Sequence, residues 1–430
     1  MILQNWWYTT LLNKKIDFCE PLRKNISCQN LVIGGGIAGL HAALHLVERG
    51  EQVVLLERNI CGGSSTGKSA GFLTPDSELE LSQLIRRYGK NGARQIWSMA
   101  VDGVDLIVKT IRKYRIDCDL SKADSLFVGI GHSGKKAVLE EIDARKKLGF
   151  KSEYYNEKKI SLINKGTGYS AGIKYKNTYA MNALLYAQGL KEVLIKKGMR
   201  IYESTEVTEI KNRTAKTHLG SVNADNIIIC IDKMKKDFSS VSKEVYSAQT
   251  FLAITEPLSN KDIQSMFPKD KVMCWDSKLI YSYYRLTKDN RLLLGGGSAL
   301  TTFSSTDVTK PNVINSVIDE FKKRFPAVKN IEFIQYWPGR IDTTKDLIPL
   351  VDFDKKYPHI QYVLGCVGLP WGAFCGMYAA KRLKDEKYCH FYCEYLKMDR
   401  NYLIPYWLQS IIGKKLAFSL NNAFSKYIQR

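Results

Sequence analysis

C-x-x-C pairs are absent from this 430-residue chain, although it holds ten cysteines. They stand apart at 19, 28, 61, 118, 230, 274, 366, 375, 389 and 393, and Cys389-His390-Phe391-Tyr392-Cys393 has no second ligand pair beside it. That spacing argues against zinc and a disulfide framework, so reduced thiols and no metal site are expected. Acids are scarce: 43 Asp and Glu face 64 Lys and Arg, for a formal net charge of +21. Such a balance favours polyanions, but the lysines are spread along the chain rather than gathered in one tract, and nucleic acid is not the expected partner. The opening residues through Trp6, Trp7 and Tyr8 lack the basic region and cleavage site of a signal peptide, so a cytoplasmic protein is expected. No internal repeat or low-complexity tract is present. The uncharged run 360–380 has the length of a membrane span, yet Gly365, Gly368, Pro370, Gly372 and Gly376 interrupt it. It reads as a strand, a glycine turn and a helix.

What is present speaks most clearly between residues 30 and 73. An apolar strand from Asn30 runs into Gly34, Gly36 and Gly39 at the G-x-G-x-x-G spacing, with Ile37 and Ala38 opening a helix. A second apolar strand, 53–56, then ends in Glu57 and Arg58. Strand, glycines, helix, strand and acid in this order form a dinucleotide-binding βαβ unit. Gly34 permits the tight turn, Gly36 lets a pyrophosphate approach the backbone, and Gly39 lets the helix pack close to the strand. The phosphates sit at the helix N-terminus, where free N–H groups and the helix dipole favour anions. Glu57 falls where a carboxylate binds ribose hydroxyls, which disfavours a 2′-phosphate. The Gly/Ser-rich loop that follows carries Ser64, Ser65 and Lys68 and continues into Ala70, Gly71, Phe72 and Leu73. It suits a flavin, because a second loop must cover the pyrophosphate and reach toward the isoalloxazine; the alternative is a flexible loop.

A chain of this length exceeds one usual domain, and two interleaved domains are the natural arrangement. Periodicity predicts helices over 82–89, 93–114, 135–148 and from about 179 to 197, with strands at 126–130, 199–203, 206–210 and 226–231. The last three extend the nucleotide-binding sheet, and Val207 is a candidate for contacting adenine. From 248 to 338 the pattern turns β-rich, with strands at 250–255, 279–286 and 291–295 and a helix over 313–324. A final strand near 362–365 and its glycine turn close over the flavin, and a helix after Ala373 aims its positive end at the ring.

In this order the segments resemble the FAD-dependent D-amino-acid oxidase superfamily, most of all its γ-glutamylputrescine oxidoreductase and glycine oxidase branch. The resemblance rests on Trp6-Trp7-Tyr8, the Gly62–Gly71 loop, 116–120, Thr255-Glu-Pro-Leu258, Tyr284-Arg285, Gly295-Gly-Gly297 and Trp337-Pro-Gly339-Arg340-Ile-Asp342, and it spans about 6–383. It implies an α/β fold of glutathione-reductase type: a Rossmann-like FAD-binding domain (28–98, 152–247 and 336–384) interleaved with an α+β, antiparallel-sheet substrate-binding domain (99–151 and 248–335). A helical extension, 385–430, follows. It also implies an FAD-dependent oxidoreductase that passes a hydride from the carbon of a small amine or amino acid to flavin N5, giving an imine that hydrolyses. Oxygen or another electron acceptor completes the cycle.

By the same resemblance Arg340 holds a substrate carboxylate, for which a guanidinium fork is suited; otherwise it pairs with Asp342 or Asp346. Lys68 lies where the family places a base beside the flavin. Tyr281, Tyr283 and Tyr284 are candidates to line the amine pocket, or are core. Gly339, Arg340, Gly368, Leu369, Pro370, Trp371 and Gly372 are assigned to the cofactor, with Arg340, Trp371 and Tyr283 as catalytic candidates. The chain departs from the family in three ways. Its glycine turn lacks the usual histidine and is longer, which brings in Trp371. Leu293 replaces an oxygen-activating lysine, so a dehydrogenase is as open as an oxidase. No residue is placed to attach FAD covalently, and a dissociable cofactor is expected. Other functions consistent with the sequence are oxidation of a carboxymethylaminomethyl group on transfer RNA and a non-catalytic flavin-binding scaffold. The tail, with Leu403 to Gly413 and Lys414-Lys415, is either an amphipathic helix touching a membrane or a segment packed on the protein itself.

Overall fold

The computed structural model describes residues 1–14, 16–75, 78–234, 238–278, 280–298, 308–384 and 392–424. The apolar runs Ile26–Ile33, Val53–Leu56, Ser221–Ile229 and Ile360–Leu364 are the parallel heart of an eight-stranded sheet. Side chains alternate across it. Val32, Leu55, Ile228 and Val363 face a core shared with the helices Ile37–Glu48, Leu81–Tyr114 and Leu369–Arg382. Leu31, Val54 and Ile227 face a second core completed by Leu22, Val207 and Val241. Where these strands are buried on both faces, at 31–33, 53–56 and 227–229, they read as continuously apolar, whereas the first half of Ser221–Ile229 alternates and leaves Asn223 and Asp225 exposed. Arg200–Tyr202 extends the sheet beside Val53–Leu56, while Thr214–Lys216 and Glu209–Lys211 extend it on the other side. Both extensions agree with the sequence, except that 206–208 is not strand.

The second sheet has nine strands in the order Ile2–Leu3, Phe333–Thr343, Tyr246–Pro257, Arg291–Gly296, Tyr283–Leu286, Met273–Asp276, Ser125–Ile130, Tyr169–Tyr175 and Glu153–Asn156. It is antiparallel apart from the pairings of Ile2–Leu3 and of Met273–Asp276 with Ser125–Ile130. Helix Asn312–Arg324 covers it through Ile314, Val317, Ile318 and Phe321, an apolar stripe at helical spacing. Residues 153–175 were expected with the nucleotide-binding pieces. Instead Tyr169–Tyr175 pairs with Ser125–Ile130, so both outer strands belong to the nine-stranded sheet. The helices expected over 82–89 and 93–114 are one element, Leu81–Tyr114, broken by Gly89 at φ 66°. In the stretch expected as a strand over 279–286, only Tyr283–Leu286 is one, and Leu279 lies outside the described residues.

The tail packs on the protein. Lys345 Nζ donates to the Ile404 carbonyl at 3.0 Å, Tyr246 Oη donates to Gln409 at 2.6 Å, and Arg400 pairs with Asp346 at 2.8 Å. Of its described helices, Cys393–Leu396, Tyr406–Ile412 and Lys414–Phe424, the second leaves Trp407 and Ile411 exposed. Residues 385–391, with Cys389 and His390, and 425–430 lie outside the described residues. Among the described residues no helix is long and apolar enough to cross a membrane, and 360–380 is strand, turn and helix as read from its glycines.

Candidate active site

The βαβ unit shapes the first of two adjoining cavities. Gly34 has φ +106°, and a Cβ there would press into the Cys230 carbonyl; a Cβ on Gly39 would fall well inside van der Waals contact of the Gly34 carbonyl oxygen. The strand end and the helix therefore approach as only glycine permits. Gly36, Ile37 and Ala38 bring the helix N-terminus to a cavity of about 220 Å³. Glu57 and Arg58 line it, as do Ser64, Ser65, Val207 and Gly372, all from distant parts of the chain. Glu57 Oε2 accepts the Gly35 N–H at 2.7 Å and Oε1 the Asn59 N–H at 2.8 Å. Burial pushes its carboxyl above the ordinary value against these bonds and the Arg58 charge. A glycine cradle, a helix N-terminus and a fixed carboxylate suit the pyrophosphate and ribose of an adenine dinucleotide. Three further acids, Glu206, Asp232 and Asp342, face this cavity. Asp232 accepts from the Ser64 and Ser65 hydroxyls, and Asp342 from Ser247 and the Lys233 N–H.

The second cavity, about 190 Å³, shares Ser65 and Ile341 with the first. The two thus join at the Gly62–Leu73 loop and strand Phe333–Thr343. Lys68, Ala70, Gly71 and Phe72 line it from the loop, Gly339 from the strand, and Gly368, Leu369 and Pro370 from the start of helix Leu369–Arg382. Its outer wall is Thr74, Glu78, Thr250, Trp275, Tyr281 and Tyr283. Tyr281 Oη donates to Glu78 at 3.1 Å, and the rings of Tyr281 and Tyr283 lie 5.7 Å apart. Burial pushes the Tyr283 phenol up to about 12, partly opposed by a hydrogen bond with Thr250.

The two cavities do not receive every candidate residue. Gly339 and Ile341 line the second cavity and Arg340 between them does not, because side chains alternate along Phe333–Thr343. Gly339 opposes Thr250, which also lines the cavity, whereas Arg340 opposes Gln249 on the other face. Asp346 is engaged by Arg400 rather than Arg340. Trp371 lines neither cavity. The helix expected after Ala373 begins at Leu369, so Pro370 faces the cavity and Trp371, one step round the turn, is 2% exposed in the core. Leu73 and Leu293 are buried in the core, and Gly39 packs the helix close to the strand as its place in the motif predicts. Tyr284 is also core, bonded to Asn164 and Tyr169.

Residues that the sequence did not single out hold the loop in place. Asn5 Nδ2 donates to the Gly67 carbonyl at 2.7 Å, Trp7 Nε1 to Ser69 at 2.9 Å and Tyr8 Oη to Gly63 at 2.8 Å. Trp337 Nε1 donates to Lys68 at 3.1 Å, and Arg285 Nε to Ala70 at 2.6 Å. The signal for these was the Trp6-Trp7-Tyr8 cluster, Tyr284-Arg285 and Trp337, each noted for resemblance without a role. Trp7→Phe removes one donor and leaves the Ser69 carbonyl without it. A loss of about 1–2 kcal/mol is expected, read as a lower urea midpoint with faster proteolysis of the Gly62–Leu73 loop; an unchanged midpoint would show that this bond does not anchor the loop.

Comparison with known proteins agrees with this geometry. The family model described as FAD dependent oxidoreductase (DAO) matches residues 30–382. The chain is 29% identical over 378 residues to γ-glutamylputrescine oxidoreductase of Escherichia coli K12, covering 84% of each protein. It is 22% identical over 350 residues to glycine oxidase of Bacillus subtilis, covering 78% of this chain and 86% of the relative. Among solved structures, glycine oxidase from Geobacillus kaustophilus superposes with a TM-score of 0.72 at 16% identity, over 83% of this chain and 95% of that one. The βαβ cradle, the covering loop and the extent of these matches lead to one conclusion: the chain belongs to the DAO family of FAD-dependent oxidoreductases.

Proposed function

We propose that this enzyme oxidises the C–N bond of a small amine, with FAD held non-covalently across the two cavities. The observation that carries the reading is the junction at Ser65 and Ile341, which sets a second, aromatic-walled cavity against the dinucleotide cradle. When bound there, FAD would supply a two-electron acceptor for the hydride on the carbon that bears an unprotonated amine. Gly34, Gly36, Ile37 and Ala38 hold the pyrophosphate, Glu57 the ribose, and Val207 borders the adenine. Lys68, Gly339 and the helix start at Gly368–Pro370 frame the ring. Phe72, Tyr281 and Tyr283 exclude water and align the C–H bond. The imine leaves to be hydrolysed, and oxygen or another acceptor removes the electrons. The relatives' names, γ-glutamylputrescine oxidoreductase and glycine oxidase, support an amine or amino acid as substrate. The test is anaerobic mixing of the purified holoenzyme with a panel of amines and amino acids. Loss of the flavin's visible band with at least one amine is expected; a flavin that stays oxidised with every compound would reject the reading.

A further inference from the structure

The second cavity carries charge in an arrangement that bears on what enters it. Among the described residues lining it, the charged ones are Lys68 and Glu78, and none is an arginine. Both line the second cavity and neither lines the first or the junction; Lys68 comes from the Gly62–Leu73 loop and Glu78 from the segment beyond it. Its carboxylate accepts from Tyr281 Oη at 3.1 Å. That bond orients the Glu78 carboxylate beside the Tyr281 ring. The Tyr281 ring lies 5.7 Å from Tyr283, whose ring meets Phe72 edge-on at 5.9 Å. Acid and aromatic faces together form a setting that attracts a cation. The Glu78 charge reaches Tyr283 as well: after burial and the bond with Thr250, it is a further influence on that phenol, pushing it up.

A carboxylate beside the reacting amine would oppose the chemistry, because it stabilises the ammonium form and the C–H bond is weakened as a hydride source only when the nitrogen lone pair is free. A carboxylate set off from the junction serves a charge that persists through the reaction. Resting on the amine-oxidation reading above, we infer that Glu78 is a specificity residue: it holds a second, non-reacting ammonium of a diamine-type substrate against the rings of Tyr281 and Tyr283, while the other, neutral amine faces the flavin. The displacement of Arg340 to the opposite face of its strand fits the same selection, since it leaves the cavity without the fork that would favour an α-carboxylate.

The experiment compares holoenzyme with the Glu78→Gln and Glu78→Asp variants, using 1,4-diaminobutane, butylamine and glycine as reductants and tetramethylammonium as a non-oxidisable ligand followed by calorimetry. Wild type is expected to be half-saturated by the diamine at a concentration about tenfold or more below that for butylamine. Glu78→Gln removes this preference by raising the diamine value, leaves butylamine and the limiting rate of flavin reduction within about threefold, and weakens tetramethylammonium about tenfold, whereas Glu78→Asp restores part of each. A wild type that prefers butylamine or glycine, or a Gln variant that keeps the diamine preference and the tetramethylammonium affinity, overturns the assignment and leaves amine oxidation standing. Should no amine reduce the flavin, the function reading fails instead, and tetramethylammonium binding still decides the cation site by itself.

Discussion

Gly39→Ala yields protein purified without its FAD. The strand Ile26–Ile33 and the helix Ile37–Glu48 meet through Gly39, where an added methyl would fall on the backbone carbonyl of Gly34 and against Val32 Cγ1 at 3.2 Å. A carbonyl in the phosphate turn cannot rotate away as a flexible side chain can, so the helix must retreat from the strand. The retreat carries the N–H groups of Gly36, Ile37 and Ala38 off the pyrophosphate. It also strains the contact on the far side of the helix, where Gly376 packs on the Ala38 backbone. Overpacking of this kind costs about 1–3 kcal/mol, and because the displaced atoms are themselves ligands, the upper end, about a hundredfold in FAD affinity, is expected. Flavin-to-protein ratio after gel filtration and titration of apoprotein with FAD measure it. Stoichiometric yellow protein from the alanine variant would mean that the cradle tolerates the methyl and that the close approach does not set cofactor affinity.

The same glycine shows what the sequence reveals most readily. The turn, helix and acid of the βαβ unit are fixed by local chemistry within about one supersecondary unit of some thirty residues, and positions 34 to 58 lie where the spacing puts them. Arg340 and Trp371 depend on a different kind of fact. Arg340 faces away because pairing of Gly339 with Thr250 fixes the register of a strand whose sequence, Tyr336-Trp-Pro-Gly-Arg-Ile-Asp342, has no clean alternation. A one-residue change of register exchanges the two faces. Trp371 turns inward because the helix starts at Leu369, with proline in its first turn, four residues before the expected start. Glu78 has no periodic pattern around it, and it enters the site through Tyr281, 203 residues away in sequence. Asp232 meets Ser64 from 168 residues away. Short-range spacing identified the cofactor, while the wall of the second cavity adds to Tyr281 and Tyr283 a partner, Glu78, that only long-range pairing brings in.

The pair formed by Asp346 and Arg400 explains why the tail, beyond the family match, belongs to the enzyme. Arg400 Nη2 and Nε reach Asp346 Oδ1 and Oδ2 at 2.8 and 2.9 Å, and the remaining guanidinium donors go to the carbonyls of Ile348, Pro349 and Lys397. Asp346 also accepts from Tyr88, Thr344 and the Ile348 N–H, and both charged groups are buried. Thr344 in turn abuts Gly365, which lines the dinucleotide cavity. Arg400→Ala leaves a buried carboxylate without its counter-charge, and removal of one partner of such a pair costs about 3–5 kcal/mol. The expected result is a large fall in the urea midpoint with partial loss of FAD. Arg400→Met combined with Asp346→Asn recovers most of the loss, because removing both charges spares the unpaired one. Burial pushes the Asp346 carboxyl up, but the Arg400 charge and the hydrogen bonds it accepts prevail, and its pKa lies below the ordinary value. A depressed carboxyl contributes stability above its unfolded pKa of about 3.9 and loses it as pH falls through the folded value. The gap between wild type and Arg400→Ala is therefore larger at neutral pH than in acid: it narrows as pH falls, first as the uncompensated Asp346 carboxyl of the variant takes up a proton and then, below about pH 4, as wild type loses its own contribution. Equal midpoints at pH 7, or a gap that widens on acidification, would rule out the pair as the clamp between the tail and the cofactor domain.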